Sequence, residues 1–483
     1  MSQTLRPYQA NALEELRAGI RQRKQRQLLV SPTGSGKTTI AAHMIQSAVS
    51  RGKRIWFLAH RKELIQQCSA RLDEHDLDHG IIQAQHPRRR PWLPIQVASV
   101  ATLVRRELTE LPDLIIIDEA HRSLSASYQK IAKAAPKSQV IGLTATPWRL
   151  DGRPLGSFYE SLVLVARPSE LISEGWLLKP RLFAPAKLDL TDVHVRGGDY
   201  DEADLAQKVD RPSLLGDLVE HWRKLVQTGE NRRTVVFAVN KEHSRHITTS
   251  FQVAGVRAAH LDEATSSGDR AQIIRDLAAG EIDIISNCQI LTEGWDLPSL
   301  AAVVLARPTK SVALYLQMCG RGMRPYPGKT EFKLLDHASC VFDLGFPEDD
   351  RDYRLDGRVR ARKSKNAAPF VRICEQCFRA FPSLIRECPE CGWTVPVAVR
   401  KIKHDEGGEL REYRQGELPA RGESRPWIER LKLLTDLVEK QVTRGYKEKW
   451  SCIQYQRKLR HWPPAIMQEQ AHAEVQRRME ARS

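Results

Sequence analysis

SPTGSGKTT, residues 31 to 39, follows at once on the apolar run QLLV (27 to 30) and leads at once into the helical pattern TTIAAHMIQSAVSRG (38 to 52). A buried strand, a glycine turn and a helix start in immediate succession make a phosphate-binding loop. Backbone N–H groups of the turn and of the first helical residues surround the β and γ phosphates, Lys37 adds charge, and Thr38 offers a hydroxyl to Mg²⁺. The general pattern GxxxxGK[ST] fails here at its first glycine, which is Ser31, while Gly34 and Gly36 remain. Thr33, Gly34, Ser35, Gly36, Lys37, Thr38 and Thr39 are thus the candidate nucleotide contacts of the loop. PGKT at 327 to 330 has Met323 where a first glycine would stand and no helical pattern after it, so it reads as a turn.

About 80 residues downstream, LIIIDEAH (114 to 121) ends a second apolar strand in two carboxylates. Strand ends of this kind meet at the C-terminal edge of a parallel sheet, where α/β proteins bind ligands. Asp118 suits Mg²⁺, directly or through its water, and Glu119 suits the base that orients and deprotonates an attacking water. Together the two stretches imply hydrolysis of a nucleoside triphosphate.

Short β-branched runs punctuate the first 340 residues: RIWFLA at 54, QVIGL at 139, TVVFAV at 234, EIDIIS at 281, AAVVLA at 301 and FKLLD at 332, mostly separated by helical spacings. Buried strands alternating with helices imply parallel sheets. The pattern occurs twice, so the fold class is α/β with two such domains in tandem, residues 1–165 and 216–345. Between them, a connector at 166–215 mixes signals around Gly197-Gly198 and an acidic DYDEAD. Residues 346–369 carry dense mixed charge and few large apolar groups, which marks a linker or mobile arm.

CEQCFRAFPSLIRECPECGW sets Cys374 and Cys377 two residues apart, then Cys388 and Cys391 likewise. Two such knuckles satisfy tetrahedral Zn²⁺, and metal binding would be most of the folding energy of a module this small (370–396), which is expected to lie outside the motor. DNA contact and docking onto the body both remain open as its role. The tail, 397–483, is basic and partly helical. PWIERLKLLTDLVEKQV (426 to 442) spaces Ile428, Leu431, Leu434, Val438 and Val442 as an amphipathic helix. In GYKEKWSCIQYQRKLRHWPP, Trp450, Tyr455 and Trp462 lie among cations, which suits single-strand stacking or a small helical hairpin packed by those same rings.

The formal charge is +16, and residues 351–483 hold 29 Lys and Arg against 18 Asp and Glu, or +11. That imbalance favours a polyanionic partner. No apolar run approaches the ~18 to 20 residues that span a bilayer, and the N-terminus lacks a signal-peptide pattern. Nine cysteines, four in one cluster, fit a reducing cytosol with a metal site.

The order SPTGSGKT, LAHRKEL (58 to 64), DEAH, TATP (144 to 147), VVFAVNKEHS (235 to 244), LTEGWDLP (291 to 298) and QMCGRGMR (317 to 324) resembles the blocks of superfamily two DEAD/DEAH-box helicases. RPYQ (6 to 9), TATPWRL and the cysteine module are similar to the RadD-like and phage-type members. The resemblance implies two RecA-like domains with ATP between them and nucleic acid running across both. It implies that Gln9 reads adenine, that His121, Thr144 and Thr146 couple hydrolysis to domain motion, and that Gly294 and Asp296 approach the nucleotide. It further implies that Arg61, Ser99, Thr102, Thr265, Arg270 and Thr292 contact the strand. Arg321 and Arg324 resemble arginine fingers, with Gln317 monitoring alignment.

The expectation is an ATP-dependent DNA helicase or translocase of repair, recombination or replication, needing ATP, Mg²⁺ and Zn²⁺. Single-stranded or branched DNA and single-strand-binding or recombination proteins are the expected partners, in the cytoplasm of a bacterial or phage-infected cell, without a membrane. An RNA remodeller, or a DNA-binding adaptor whose ATPase acts as a clamp, are the alternatives.

Overall fold

The computed structural model describes residues 4–106, 110–149, 153–185, 187–292, 294–356, 371–395, 427–459 and 462–481. The chain divides into two units, Met1–Val397 and Ala398–Ser483.

The first unit is built on two parallel sheets. One holds β1 (Arg26–Val30), β2 (Ile55–Ala59), β3 (Gly80–Ile82), β4 (Ile95–Ser99), β5 (Leu114–Asp118), β6 (Gln139–Thr144) and β7 (Ser161–Leu164), in the order 3-4-2-5-6-1-7. Ile55 to Ala59 and Ile95 to Ser99 are buried throughout, because helices cover both faces and leave no solvent side for a polar alternation. The order sets β5, β6 and β1 side by side, with Val30 level with Thr144 and Asp118 level with Leu143. The phosphate loop, the DEAH turn and the TATP turn therefore leave one edge within three strands.

The second sheet takes β8 (Pro180–Phe183), and after the two-stranded hairpin of β9 (Val195–Arg196) and β10 (Asp199–Tyr200) it takes β11 (Thr234–Phe237), β12 (Ala258–Leu261), β13 (Ile284–Asn287), β14 (Ala302–Leu305) and β15 (Phe332–Asp336). Its order is 12-13-11-14-15-8. The stretch 166–215 is thus more than a connector, for Pro180 to Phe183 pairs in parallel with Phe332 to Leu335 at the sheet edge. A four-residue strand that opens on proline carries no readable alternation, and proline is tolerated there because an edge strand can forgo an N–H.

Two further readings are corrected in this unit. Residues 346–356, read as a linker or mobile arm, pack back on the first sheet's body: Tyr353 stacks on Trp148 at 5.3 Å and the Leu355 carbonyl accepts the Gly156 N–H at 2.9 Å. Ser169 adds a hydroxyl bond to Asp350 at 2.7 Å. The rest of that reading, 357–369, lies outside the described residues. The cysteine module does not stand outside the motor either. Its strands β16 (Val371–Ile373) and β17 (Ala380–Pro382) pair with each other, and its first knuckle extends the second sheet, with Phe183 bridging Arg379 and the Ala184 N–H bonded to the Phe378 carbonyl at 3.0 Å. Val371 and Ala380 belong to the main apolar core. An open edge strand needs a partner, and the knuckle supplies one.

Among the described residues the second unit has three helices, Trp427–Thr443, Trp450–Leu459 and Ala465–Glu480, around Leu434, Val438, Tyr455, Met467 and Ala471. Tyr455 is fully buried, which assigns that ring to packing, while Trp462 stays 43% exposed. The expected apolar stripe is truncated, since Ile428 and Val442 at its ends face solvent. No helix of the described residues is long and apolar enough to cross a membrane.

Candidate nucleotide site

A cleft of about 410 Å³ opens between the two sheets, lined by Lys37, Asp118 and Glu119 from the first body and by Gln317, Arg321 and Arg324 from the second. Gly34 and Gly36 hold φ of 91° and 89°, the left-handed region that curls successive N–H groups toward one point, and the helix Lys37–Val49 starts immediately after. A Cβ on Gly36 would lie 2.4 Å from Gln9 Nε2, and one on Gly34 would lie 3.1 Å from Arg324 and from Leu177. Ser31 stands in the place of the usual first glycine. Its N–H bonds the Thr144 carbonyl at 2.9 Å and its hydroxyl bonds Ser35, so the side chain laces the loop from inside. Ser35 is likewise fully buried and, unlike its neighbours, does not line the cleft.

Glu119 is the electrostatic centre. Lys37 Nζ lies 3.8 Å away, His121 Nδ1 3.3 Å, and the Gln317 amide donates from the opposite body at 3.1 Å. Burial alone would raise its pKa, yet Lys37, the His121 contact and the Arg321 charge hold the carboxyl well below the ordinary carboxylate range. Its backbone sits at φ 49°, a costly conformation for a residue with a side chain, held by its own N–H bonding Asp118 Oδ1 at 3.0 Å.

The two arginines differ in posture. Arg324 pairs with Asp296 and lies against Gly34 of the phosphate loop, with burial and then Arg71 lowering its pKa to about 10. Arg321 donates to the carbonyls of Thr292 and Trp295, bracing the LTEGWDLP segment. The turn that carries both is held by Lys329, whose ammonium donates to the carbonyls of Pro298, Gly322 and Arg324 at 2.9, 2.6 and 3.1 Å. PGKT is a turn, as its sequence implies, but its lysine has this unread task.

The donor set fits a Mg²⁺-triphosphate. Arg6, Lys37, Arg71, Arg321 and Arg324 line the cleft against Asp118, Glu119 and Asp296, and the buried Thr33 Oγ1 and Arg324 Nε make no hydrogen bond of their own. Gln9 does not reach out toward a base in this arrangement: its amide donates to the Ser35 carbonyl at 2.9 Å and its oxygen accepts the Arg6 N–H at 3.0 Å. The wall beside it is Trp176, with the Arg6 guanidinium 4.3 Å above the ring. Sequence reasoning missed Trp176, since it stands in no motif and in the stretch read as connector.

His121 joins Glu119 as described, whereas Thr144 and Thr146 are buried in a tight turn closed by Thr144 Oγ1 on the Thr146 carbonyl at 2.7 Å. Of the expected strand contacts, three cluster at the boundary between the bodies. Arg61 donates to the Gln289 carbonyl at 3.0 Å, Arg270 pairs with Glu63 at 2.6 Å, and Thr292 is buried with its hydroxyl on Gln289. Gly294 shares that boundary, where a Cβ would meet Glu63 Cβ at 2.8 Å, so its close approach is to protein. Ser99 and Thr102 stand apart at the end of β4, and Thr265 is tied into a turn by Asp262.

The sulfurs of Cys374, Cys377, Cys388 and Cys391 all lie within 4.8 Å of one another, with 3.5 Å between Cys374 and Cys391 and 3.6 Å between Cys377 and Cys388. Four thiolates around Zn²⁺ at ~2.3 Å stand about 3.8 Å apart, so the cluster fits that ion. Phe378 (φ 60°) and Gly392 (φ 74°) take the same left-handed place in the two knuckles.

Two family descriptions match the chain: "Type III restriction enzyme, res subunit" over residues 2–149 and "Helicase conserved C-terminal domain" over residues 217–326. A "51.5 kDa protein" of Lactococcus phage (isolate 7-9) is 27% identical over 443 residues, covering 91% of this chain and 90% of that protein. The Saccharomyces cerevisiae protein IRC3, whose name assigns it as an ATP-dependent helicase, is 31% identical over 365 residues. That match takes in 71% of this chain and 53% of IRC3, so the chain spans about half of that relative. Among solved structures, a fragment assigned as the HsdR subunit of a type I restriction enzyme from Vibrio vulnificus YJ016 superposes with TM-score 0.56 at 22% identity, over 73% of this chain and 67% of that one. The likeness is one of fold.

Proposed function

The chain belongs to the superfamily two helicases of the DEAD/DEAH type, and from that membership we propose that it hydrolyses ATP in response to a DNA strand and moves along or remodels that DNA, in repair, recombination or replication. The observation that carries the reading is that Glu119 is held by Lys37 and His121 from one body and by Gln317 from the other. A base positioned from both sides is correctly placed only when the two bodies stand in one relation, so a ligand that spans them governs turnover.

ATP lies with its triphosphate on the loop of Gly34 to Thr38, its base against Trp176, and its γ-phosphate toward Arg324. Ionised Glu119 orients the attacking water and takes its proton. Lys37 and Arg324 offset the charge that spreads over the phosphoryl oxygens. Thr38 and Asp118 would hold Mg²⁺, which when bound would supply charge neutralisation to the phosphates. Zn²⁺ would be held by Cys374, Cys377, Cys388 and Cys391, where its part is to fold the knuckles. Single-strand-binding and recombination proteins are the expected partners. The phage relative supports a bacterial or phage-infected cell as the setting.

The test is the ATPase rate against single-stranded, forked and duplex DNA and the matching RNAs. Stimulation by DNA is expected; stimulation by RNA alone overturns the choice of strand, and none by any nucleic acid overturns the reading.

A further inference from the structure

VRGGDY, residues 195 to 200, folds as the small hairpin of β9 and β10, turned by Gly197 and Gly198 at φ 63° and 92°. It has no part in the nucleotide site. Three acids around it are engaged by neighbouring groups. Asp199 accepts the Thr309 hydroxyl and the Lys310 N–H, both at 2.7 Å, Glu202 receives Gln289 at 3.3 Å and lies 3.8 Å from Arg307, and Asp204 holds His194 at 2.6 Å. The tip consequently presents Val195, Arg196 and bare glycine backbone, with Val195 49% exposed and open space around Gly197.

That tip borders a crevice of about 530 Å³ between the two bodies. Arg61, Arg122, Arg149 and Arg307 line it, together with Trp148, whose buried indole N–H makes no hydrogen bond. Gln317 belongs to the walls of both this crevice and the nucleotide cleft. The mount of the hairpin is also the start of the helix that carries Gln317. Thr309 and Lys310 directly precede the N-cap Ser311 of Val312–Gly320, and Arg321 follows its end.

We propose that the 195–200 hairpin is a strand-engaging element. Val195 and Arg196 bear on single-stranded DNA as it enters the arginine-lined crevice, and Asp199 transmits the position of the Gln317 helix to them. The charge of the crevice selects a polyanion, and the apolar, side-chain-poor tip suits contact with an unstacked base. The inference rests on the DNA-stimulated reading above and deepens it.

The experiment uses the full chain with a photo-crosslinking residue in place of Arg196, a labelled thymidine oligomer, and no nucleotide or ADP with beryllium fluoride. A crosslink to the oligomer is expected, with a yield that differs between the two nucleotide conditions and stops differing in Asp199→Ala. Val195→Asp sets a like charge beside phosphate and is expected to raise the oligomer concentration for half-maximal ATPase about fivefold. Val253→Asp, at a still more exposed apolar position on the second body, is expected to leave it unchanged. If the wild type is stimulated but no crosslink forms, or Val195→Asp matches Val253→Asp, the hairpin assignment falls and the parent reading stands. A yield indifferent to nucleotide overturns the transmission through Asp199. Crosslinking to an RNA oligomer alone overturns the choice of DNA, and a wild type that no DNA stimulates overturns the parent reading and the hairpin with it.

Discussion

The side-chain amide of Gln317 donates to the Glu119 carboxylate at 3.1 Å across the boundary between the two bodies. Glu119→Gln should lower kcat by about 10² to 10⁴ and leave nucleotide affinity close to that of the wild type, because the base is lost and the phosphate loop is not. Gln317→Ala should lower kcat about tenfold, the cost of one neutral hydrogen bond that positions the base. Single-turnover hydrolysis beside binding of a fluorescent nucleotide separates the two effects. Unchanged turnover in Glu119→Gln removes it as the base.

The postures of the two arginines predict different phenotypes. Arg324→Ala should reduce kcat by about 10³ to 10⁵ with little loss of fold stability, since its guanidinium faces the phosphate loop. Arg321→Ala unpairs the carbonyls of Thr292 and Trp295 and should also destabilise the second body by about 1 to 3 kcal/mol. Urea midpoints set beside steady-state rates test the distinction, and equal midpoints in the two variants contradict it.

Trp176 should report nucleotide directly. Its ring lines the cleft under Arg6, so ATP binding is expected to change its fluorescence, and Trp176→Ala is expected to raise KM for ATP about tenfold while kcat at saturation changes less. A titration in which Trp176→Phe keeps the whole fluorescence change assigns the signal elsewhere.

Zinc removal should be felt in the motor. Cys388→Ser or a strong chelator unfolds the knuckles and strips the partner from β8, so both should lower Tm of the whole first unit and expose an aggregation-prone strand edge. Light scattering during a thermal ramp, with and without added Zn²⁺, shows this. A chelated protein with an unchanged Tm would falsify the proposed bracing.

His243 sets an acid limit on stability. It is buried, its Nδ1 accepts the Val239 N–H at 3.3 Å, and burial, with help from His246 and against Asp210, lowers its pKa to about 4. The unfolded chain binds this proton below ~6.5. Native stability should accordingly be complete above that pH and fall toward pH 4 at up to about 1.4 kcal/mol per unit. Urea unfolding at pH 7.5 and 5.5 measures the slope, and His243→Gln should flatten it.

What could be read in advance follows the physics of each segment. QLLV, LIIID and TVVF are buried on both faces, so their apolar runs announce strands without any partner being known. The same property fails for AAHL of β12, which is half-exposed, and for PRLF of β8, whose place depends on β15 some 150 residues later. The strap at 346–356 was illegible for a different reason. Its composition cannot make a core, but Tyr353 and Leu355 need only a wall already built by Trp148 and Gly156. In the site, residues within motifs announce themselves by spacing, and the cleft does gather Lys37, Asp118, Glu119, Gln317 and both arginines. Trp176 and Lys329 act through packing and backbone carbonyls, which leave no spacing to read.

The strap has a mechanical consequence. The chain enters the second body through the segment after Leu164 and returns to the first at Tyr353 and Leu355. A plate fixed to its neighbour at one point can swing and twist freely, whereas one fixed at two points turns only about the line joining them. The two attachments thus set a hinge line between the bodies, about which opening of the cleft is the expected motion, like a door on paired hinges.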